Sequence, residues 1–285
     1  MKDLRLRRLI NHKTGKLLIT PLDHGVTLGP ICGIQDIRST VKTMSKTQVN
    51  AVVLHKGNVV YCGDIIYKSE SLAVILHLSA SVGFSPNNDR KVLVASVEEG
   101  AKLGVDAVSV HINLGNEFDY QMINDLGKVS EECQKWGMPL LAMMYPRGKN
   151  IDERDLNCNM VAARVAMELG ADIVKVNYTG DKKSFEKIVN GVNIPVVIAG
   201  GTFDEDGHKF LKDIKDAMDV GAAGVAIGRN VFQRSDMVRY INGIDAIVNQ
   251  GADLKGALQI MEEYRWAGAK TVEATEKVSQ LVKSI

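Results

Sequence analysis

The stretch LGADIVKVNYTG, residues 169–180, contains the end of one helix, a glycine and a short apolar strand. The same order of helix end, glycine, small residue and strand recurs in LGVDAVSV (103–110) and VGAAGVAI (220–227). Glycine just after a helix is a common stop signal, and a short run of Val and Ile is typical of a buried strand. The repetition therefore predicts helices that alternate with parallel strands and are joined to them by tight turns.

Eight short apolar runs, one of which lies in this stretch, are predicted as strands of one buried parallel sheet, because they are apolar on both faces. They are KLLITPLD (16–23), AVVLHKG (51–57), LAVILHLS (72–79), AVSVHINLG (107–115), PLLAMMYP (139–146), DIVKVNYTG (172–180), PVVIAGG (195–201) and GVAIGRN (224–230). The clearest helices between them are predicted at 33–48, 117–137, 155–170 and 205–221.

Eight such units over this length predict an α/β fold, a closed (β/α)8 TIM barrel. A doubly wound open sheet is the alternative, but it favours a G-x-G-x-x-G turn after the first strand, where this chain has LDHGVTLG. No linker divides the chain, so residues 1–285 are predicted as a single domain. Residues 252–285, which include Trp266, are predicted as a helical C-terminal extension that packs on the barrel or on a neighbouring subunit.

The composition excludes several classes of protein. The chain has 35 Lys and Arg against 34 Asp and Glu, which argues against nucleic acid as a partner. No apolar run approaches the ~18 residues of a membrane span, and the N-terminal stretch lacks the apolar core of a secretory leader. The four cysteines are far apart and show no C-x-x-C spacing. We expect a reduced, cytoplasmic protein without a membrane, metal or cofactor requirement.

In a TIM barrel the chemistry takes place at the carboxyl ends of the strands, so the last residues of each run are the candidate site. Four of the six histidines in the chain fall there. The residues at this rim are Asp23, His24, His55, Lys56, His77, His111, Asn113, Tyr145, Arg147, Lys175, Tyr178, Gly200, Gly201, Gly228 and Arg229. Each histidine taken singly is equally well explained as a hydrogen-bonded structural residue, so the clustering carries the inference. His55, Lys56, His77 and His111 are predicted to line the pocket.

Lys175 is the most informative residue, because it lies inside the buried strand DIVKVNY. Burial disfavours the charged form of an amine, and a neutral lysine can attack a carbonyl to form a Schiff base. A lysine in a buried ion pair is the structural alternative. Lys56, in HKG, is the competing amine, but its place at a strand end beside Gly57 favours a solvated or anion-bound ammonium.

A Schiff-base lysine needs partners that move protons. Tyr145 ends the preceding strand, and Asp23 ends the first strand. A carboxylate at the end of an apolar strand is costly to bury without a partner, and a site that contains a lysine provides one. Tyr145 is also explicable as a core aromatic residue.

The turns after the last two strands predict an anion site. Gly200 and Gly201 allow the backbone to approach an anion, and Gly228 is followed by the guanidinium of Arg229. Barrels of this class often bind phosphate at this place. We therefore expect a phosphorylated substrate at a cationic barrel mouth.

These motifs together resemble the DhnA-type class I aldolase family. They are LDHGVTLGP, VLHKG, HLSA, HINLG, MMYPRGK, IVKVNYTGD, AGG and AIGRNVFQ, and the resemblance covers residues 5–250. The family includes archaeal fructose-bisphosphate aldolase, a thiolase-like branch that handles a phosphorylated autoinducer, and 2-amino-3,7-dideoxy-D-threo-hept-6-ulosonate (ADH) synthase. The motifs are most similar to the ADH synthase branch. The chain departs from the family pattern at residues 80–83, where Ala-Ser-Val-Gly replaces a glycine-rich turn.

The resemblance implies a Schiff-base lysine at Lys175, a proton donor at Tyr145 and a proton acceptor at Asp23. It also implies a sugar-phosphate site made by His24, Gly25, Val26, Thr27, Pro146 and Arg147, with the phosphate held by Gly200, Gly201, Gly228 and Arg229. The substrates it implies are a phosphorylated keto sugar and an aldehyde, L-aspartate 4-semialdehyde for an ADH synthase, in aromatic amino acid or aminohydroxybenzoate-type biosynthesis. It implies a homo-oligomer, with decamers among its members.

Three alternatives stay open from the sequence. A class I fructose-bisphosphate aldolase would use the same lysine. A metal-dependent barrel hydrolase or lyase would use the rim histidines, although the sequence has neither an H-x-H pair nor a helical H-E-x-x-H. A barrel without catalytic activity would serve as a phosphate-binding or assembly module.

Overall fold

The computed structural model describes residues 1–264, and the predicted TIM barrel is confirmed. The barrel strands are β1 (Leu17–Pro21), β2 (Ala51–Leu54), β3 (Ala73–His77), β6 (Ala107–Leu114), β7 (Leu140–Pro146), β8 (Ile173–Val176), β9 (Val196–Ala199) and β10 (Gly224–Ala226). These eight parallel strands close in the order β1-β10-β9-β8-β7-β6-β3-β2. Each lies within one of the eight apolar runs.

Helices connect the strands on the outside of the barrel. They are α1 (Lys2–Leu9), α2 (Gly25–Leu28), α3 (Ile37–Met44), α4 (Lys56–Tyr61), α5 (Gly63–Ile66), α6 (Val97–Lys102), α7 (Asp119–Trp136), α8 (Leu156–Glu168), α9 (Lys182–Asn190), α10 (His208–Asp219), α11 (Arg229–Phe232) and α12 (Met237–Gln250). The predicted helix 33–48 is shorter in the structure because Asp36 caps it, its Oδ1 accepting a hydrogen bond from the Ser39 amide at 3.1 Å.

The repeated turn of the sequence has a common geometry. Gly104, Gly170 and Gly221 all have positive φ, which L-residues with a side chain adopt at a cost. In the first two repeats an aspartate follows the turn and accepts a hydrogen bond from the amide of the neighbouring strand. Asp106 Oδ2 accepts from Val74 N at 2.9 Å, and Asp172 Oδ2 accepts from Leu140 N at 2.8 Å. The turn therefore ends a helix and fixes the start of the next strand.

Two apolar clusters stabilise the fold. One fills the space between strands and helices, and the other fills the barrel interior with residues that alternate along the strands. Leu9 of α1 is fully buried in the interior cluster with Leu17 and Ile19, so α1 closes the amino-terminal end of the barrel.

One element lies outside the predicted repeat. After β3 the chain forms a two-stranded antiparallel hairpin from β4 (Ser79–Ala80) and β5 (Val92–Leu93). The loop of this hairpin contacts α2, since Gly83 N donates to Thr27 O at 3.0 Å and Thr27 Oγ1 donates to Ser81 O at 2.9 Å. The hairpin and α2 are thus joined beside the mouth of the barrel.

The predicted C-terminal extension is helical over 254–264, where Ala257 and Met261 are buried. A Cβ atom on Gly243 of α12 would lie 2.6 Å from Met261 Sδ, so this glycine allows the extension to pack closely on the barrel. Residues 265–285, with Trp266, lie outside the described residues. Among the described helices none is long and apolar enough to cross a membrane.

Candidate active site

A cavity of about 360 Å³ opens at the carboxyl ends of the barrel strands. The three residues predicted to be catalytic, Lys175, Tyr145 and Asp23, all line it. The other ionisable side chains of its wall are His24, His55, His77, Lys91, His111, Arg147, Glu153 and Arg229. Gly200 and Gly201 after β9 also line it, so the structure brings candidate residues of all eight barrel strands to one place.

Lys175 lies on β8, where it pairs with Met143 of β7 and Val197 of β9. Its side chain points into the barrel interior and the residue is only 6% exposed. Tyr145 follows Met143 by two residues, and the centroid of its ring lies 5.9 Å from Lys175 Nζ. The amine is thus at the base of the cavity with the tyrosine one side-chain layer above it.

Asp23 follows β1 and is surrounded by bases. Its Oδ2 lies 3.5 Å from His77 Nε2, and its Oδ1 lies 3.7 Å from His24 Nδ1. Burial alone would raise the pKa of this carboxyl, but the neighbouring His77, His24 and Lys175 hold its pKa below the usual range. Asp23 is therefore an ionised carboxylate at neutral pH, able to accept a proton.

The four rim histidines are neutral bases in this environment. Burial lowers the pKa of His77 to about 4, although Asp23 opposes the shift. Its Nδ1 is 2.8 Å from Ser109 Oγ, and its ring lies 5.3 Å from the ring of His55. Burial is also the main cause that lowers the pKa of the others, His24, His55 and His111.

The positive charge of the mouth consequently comes from lysine and arginine. Lys91, Arg147 and Arg229 line the cavity against two carboxylates, Asp23 and Glu153, so the lining is net cationic even without a charge on Lys175. In residues 1–264 no three His, Cys, Asp or Glu side chains group in a way that could hold a metal ion. A metal-dependent hydrolase or lyase would find no ligand set in that part of the chain.

The turns after β9 and β10 form one wall of the cavity. Arg229 Nη2 donates to Gly201 O at 2.9 Å, and Asn230 Nδ2 donates to Gly200 O at 2.6 Å, so the two turns are tied together. A Cβ atom on Gly228 would lie 2.5 Å from His24 Cε1, which explains why only glycine fits there. Arg229 Nε is buried and has no hydrogen-bond partner among the described residues, and a bound anion would satisfy it.

Strand parity explains which predicted residues do not line the cavity. Side chains alternate along a strand. Ala51 and Val53 of β2 and then His55 therefore point into the barrel, whereas Lys56 points outward. Its Nζ pairs instead with Glu99 Oε1 at 3.2 Å.

The same alternation applies at the ends of β7 and β8. Tyr145 and Arg147 line the cavity and Pro146 between them does not, and Asn177 lines it while Tyr178 packs outside against Phe185, with ring centroids 5.3 Å apart. In α2, Thr27 lines the cavity, but Gly25 and Val26 do not.

Lys91 and Glu153 line the cavity although the sequence did not indicate them. Lys91 belongs to the β4–β5 hairpin and Glu153 to the loop between β7 and α8, so neither follows the end of a barrel strand directly. No periodic signal marks such positions.

Comparisons with known proteins agree with this geometry. Residues 17–234 match the family described as DeoC/LacD family aldolase. The chain is 44% identical over 236 residues to 2-amino-4,5-dihydroxy-6-oxo-7-(phosphonooxy)heptanoate synthase of Streptomyces griseus, covering 82% of this chain and 85% of that protein. It is 40% identical over 260 residues to 2-amino-3,7-dideoxy-D-threo-hept-6-ulosonate synthase 1 of Archaeoglobus fulgidus, covering 90% of this chain and 95% of that protein.

A solved structure of a Schiff-base-forming fructose-1,6-bisphosphate aldolase superimposes with a TM-score of 0.80 at 29% identity, over 87% of this chain and 100% of that chain. That identity is lower than the 44% and 40% shared with the two synthases of seven-carbon amino acids. The chain belongs to the DeoC/LacD family of aldolases and is an enzyme of the class I type, which acts through a Schiff base.

Proposed function

We propose that this aldolase joins a three-carbon fragment of a phosphorylated keto sugar to L-aspartate 4-semialdehyde. The products in the names of the two relatives share a 2-amino-4,5-dihydroxy-6-oxoheptanoate skeleton and differ at C7, which carries phosphate in one and hydrogen in the other. In that skeleton the C4 hydroxyl is β to the C6 ketone, so C4–C5 is the aldol bond. Breaking it gives a 2-amino-4-oxobutanoate, which is aspartate semialdehyde, and a three-carbon ketone.

The observation that carries the chemistry is the placement of Lys175, an amine buried at the base of an otherwise open cationic cavity. Its Nζ would attack the donor ketone, and loss of water would give a protonated imine. Loss of a proton, or cleavage of a C–C bond, would leave an enamine because the iminium accepts the electron pair. The enamine carbon would then attack the aldehyde, and water would release the product and free the lysine.

Two side chains are placed for the proton transfers. Tyr145 would donate a proton in the aldol step, since it lies next to Lys175 and above it in the cavity. Asp23 would accept a proton, a role supported by its ionised state among neutral histidines. The phosphate of the donor would bind the turns with Gly200, Gly201, Gly228 and Arg229, where an unpartnered guanidinium nitrogen is buried.

Borohydride reduction followed by product analysis tests this function. With dihydroxyacetone phosphate or 6-deoxy-5-ketofructose 1-phosphate present, reduction should add the mass of the bound ketone, less one oxygen atom, to the peptide that contains Lys175. Addition of L-aspartate 4-semialdehyde should yield an aminoheptulosonate whose C7 phosphate identifies which donor was used. Cleavage of fructose 1,6-bisphosphate with no seven-carbon product from either donor would instead indicate a fructose-bisphosphate aldolase.

The resemblance also leads us to propose a homo-oligomer, which light scattering of the purified protein would measure. A reduced, cytoplasmic location is part of the same proposal, and it is supported by four free cysteines.

A further inference from the structure

Lys91 is a cation of the cavity that the aldol chemistry does not use. It directly precedes β5 of the hairpin, and its half-buried side chain lines the cavity mouth. Its ammonium donates hydrogen bonds to Ser81 Oγ and to Asn88 O, the latter at 3.1 Å. Among residues 1–264 it makes no ion pair with a carboxylate. The carboxylates of Asp89 and Asp23 act on it only from beyond ion-pair distance, so a bound anion would offset part of the cost of holding this ammonium half-buried.

Arg147 and Glu153 lie on the same side of the mouth. Arg147 Nε donates to Glu153 Oε1 at 2.9 Å, and its guanidinium stacks on the Tyr145 ring at 4.9 Å from the centroid. Burial first, and then the charge of Arg147, lower the pKa of Lys91, so the two cations are close enough to interact. This side therefore presents two cations and one carboxylate.

Lys91 lies across the barrel from the turns proposed to bind phosphate, with Arg147 and Glu153 between them, since the charges of both also act on Arg229. The phosphate turns follow β9 and β10, whereas Lys91 comes from the hairpin between β3 and β6, across the barrel. Lys175 on β8 lies next to β9. A donor with its phosphate on the β9 and β10 turns and its ketone at Lys175 would leave the hairpin side for the second substrate.

We propose that Lys91 binds the carboxylate of the aldehyde acceptor and that Glu153 binds its ammonium. This inference rests on the proposed function, in which the acceptor is an α-amino acid that carries an aldehyde. The two charged groups of such an acceptor match a cation and an anion held on one wall, and its aldehyde would point toward the base of the cavity. The ammonium–carboxylate contacts are charge-assisted hydrogen bonds and select for this substrate class.

A set of four aldehydes separates the two charges. L-aspartate 4-semialdehyde carries both, 4-oxobutanoate carries the carboxylate, 3-aminopropanal carries the amine and propanal carries neither. In Lys91→Met, kcat/KM for 4-oxobutanoate relative to propanal should fall about tenfold or more, while the ratio of 3-aminopropanal to propanal does not fall. Glu153→Gln should lower the second ratio and not the first. The acceptor KM should change and the donor KM should not.

Two variants serve as controls. Arg90→Met removes a positive charge from the neighbouring exposed residue, which does not line the cavity, and should keep the wild-type ratios. Lys91→Arg keeps the charge and should keep the preference for 4-oxobutanoate. If Lys91→Met lowers turnover of all four aldehydes equally, Lys91 only holds the hairpin, and the proposal is wrong. A rise in donor KM would likewise overturn it in favour of a second phosphate site.

The subsite is also measurable without turnover. Calorimetric binding of 4-oxobutanoate to Lys175→Met should weaken about tenfold when Lys91→Met is added. If the semialdehyde is not a substrate but this Lys91 dependence is present, the acceptor assignment fails and the carboxylate subsite stands. If the second substitution leaves the binding unchanged, the subsite itself is excluded.

Discussion

Lys175 Nζ lies 5.9 Å from the centre of the Tyr145 ring, on the neighbouring strand and one side-chain layer deeper in the barrel. Since Met143 pairs with Lys175, the two-residue alternation of β7 places Tyr145 directly above the amine on the inner face. A carbon bonded to Lys175 Nζ would therefore lie on the side of the tyrosine.

Lys175→Met should abolish turnover, with a loss of about 1000-fold or more, because the imine cannot form. Borohydride with the donor should then leave no adduct. Lys56→Met is the matched control, since that lysine pairs with Glu99 outside the cavity. An adduct that persisted in Lys175→Met would assign the imine to another lysine.

Tyr145→Phe should lower kcat about 100-fold or more, because it removes one proton donor and keeps the ring that packs on Arg147. Reduction by borohydride should still give the Lys175 adduct at the start of the reaction. Rapid-quench measurement of adduct formation and product release separates the two steps. Wild-type kcat in this variant would remove Tyr145 from the mechanism.

Arg229→Gln should raise the KM of a phosphorylated donor by about tenfold to 100-fold, because a charge-assisted hydrogen bond is lost. Dihydroxyacetone without phosphate is the internal control and should be affected much less. Steady-state rates with both donors check this. Equal losses for both would mean that Arg229 only ties the turn to Gly201.

Gly228→Ala should destabilise the protein by about 1–3 kcal/mol, since its Cβ atom would lie 2.5 Å from His24 Cε1 and 2.8 Å from Pro21 O. Gly127→Ala should do the opposite. That residue lies inside α7 with nothing within 4 Å of a Cβ atom, and alanine favours a helix by about 1 kcal/mol. Urea unfolding of both variants measures the difference, and equal values would contradict the packing at Gly228.

Acid should weaken the fold between about pH 6.5 and pH 4. The folded protein keeps His77 neutral down to a pKa of about 4, whereas the unfolded chain takes up the proton near pH 6.5. The unfolded state binds more protons in this window, so the free energy of unfolding falls as the pH falls, by about 3 kcal/mol from this residue. Chemical unfolding across the window should show a smaller slope of the free energy of unfolding against pH for His77→Gln than for the wild type. A wild-type slope in His77→Gln would exclude this origin.

The sequence was sufficient for the barrel because each βα unit carries its own local signals. The strand of Lys175 is apolar on both faces, and the glycine before it has the positive φ that ends a helix. The same signals place Asp23 and Tyr145 at one rim, since parallel strands end on one side. They do not indicate which of two consecutive rim residues points inward. Lys56 and Tyr178 show this, because the direction of a side chain can be assigned only when the inward-facing positions of its strand are known.

Lys91 could not be predicted for a different reason. Its position depends on a short hairpin that pairs outside the barrel and on a contact between Gly83 and Thr27, which are distant in sequence. Neither a two-residue strand nor a loop–loop contact leaves a periodic pattern. Lys91, which we propose binds the acceptor, therefore lies in a segment with a weak sequence signal.

Leu9 fills the amino-terminal end of the barrel, and this has a kinetic consequence. Both substrates of a two-substrate reaction must use the mouth at the opposite end, and Lys175 lies deeper than Lys91. The acceptor reacts only with the enamine that the donor forms on Lys175, so through this single entrance the donor must enter and react first.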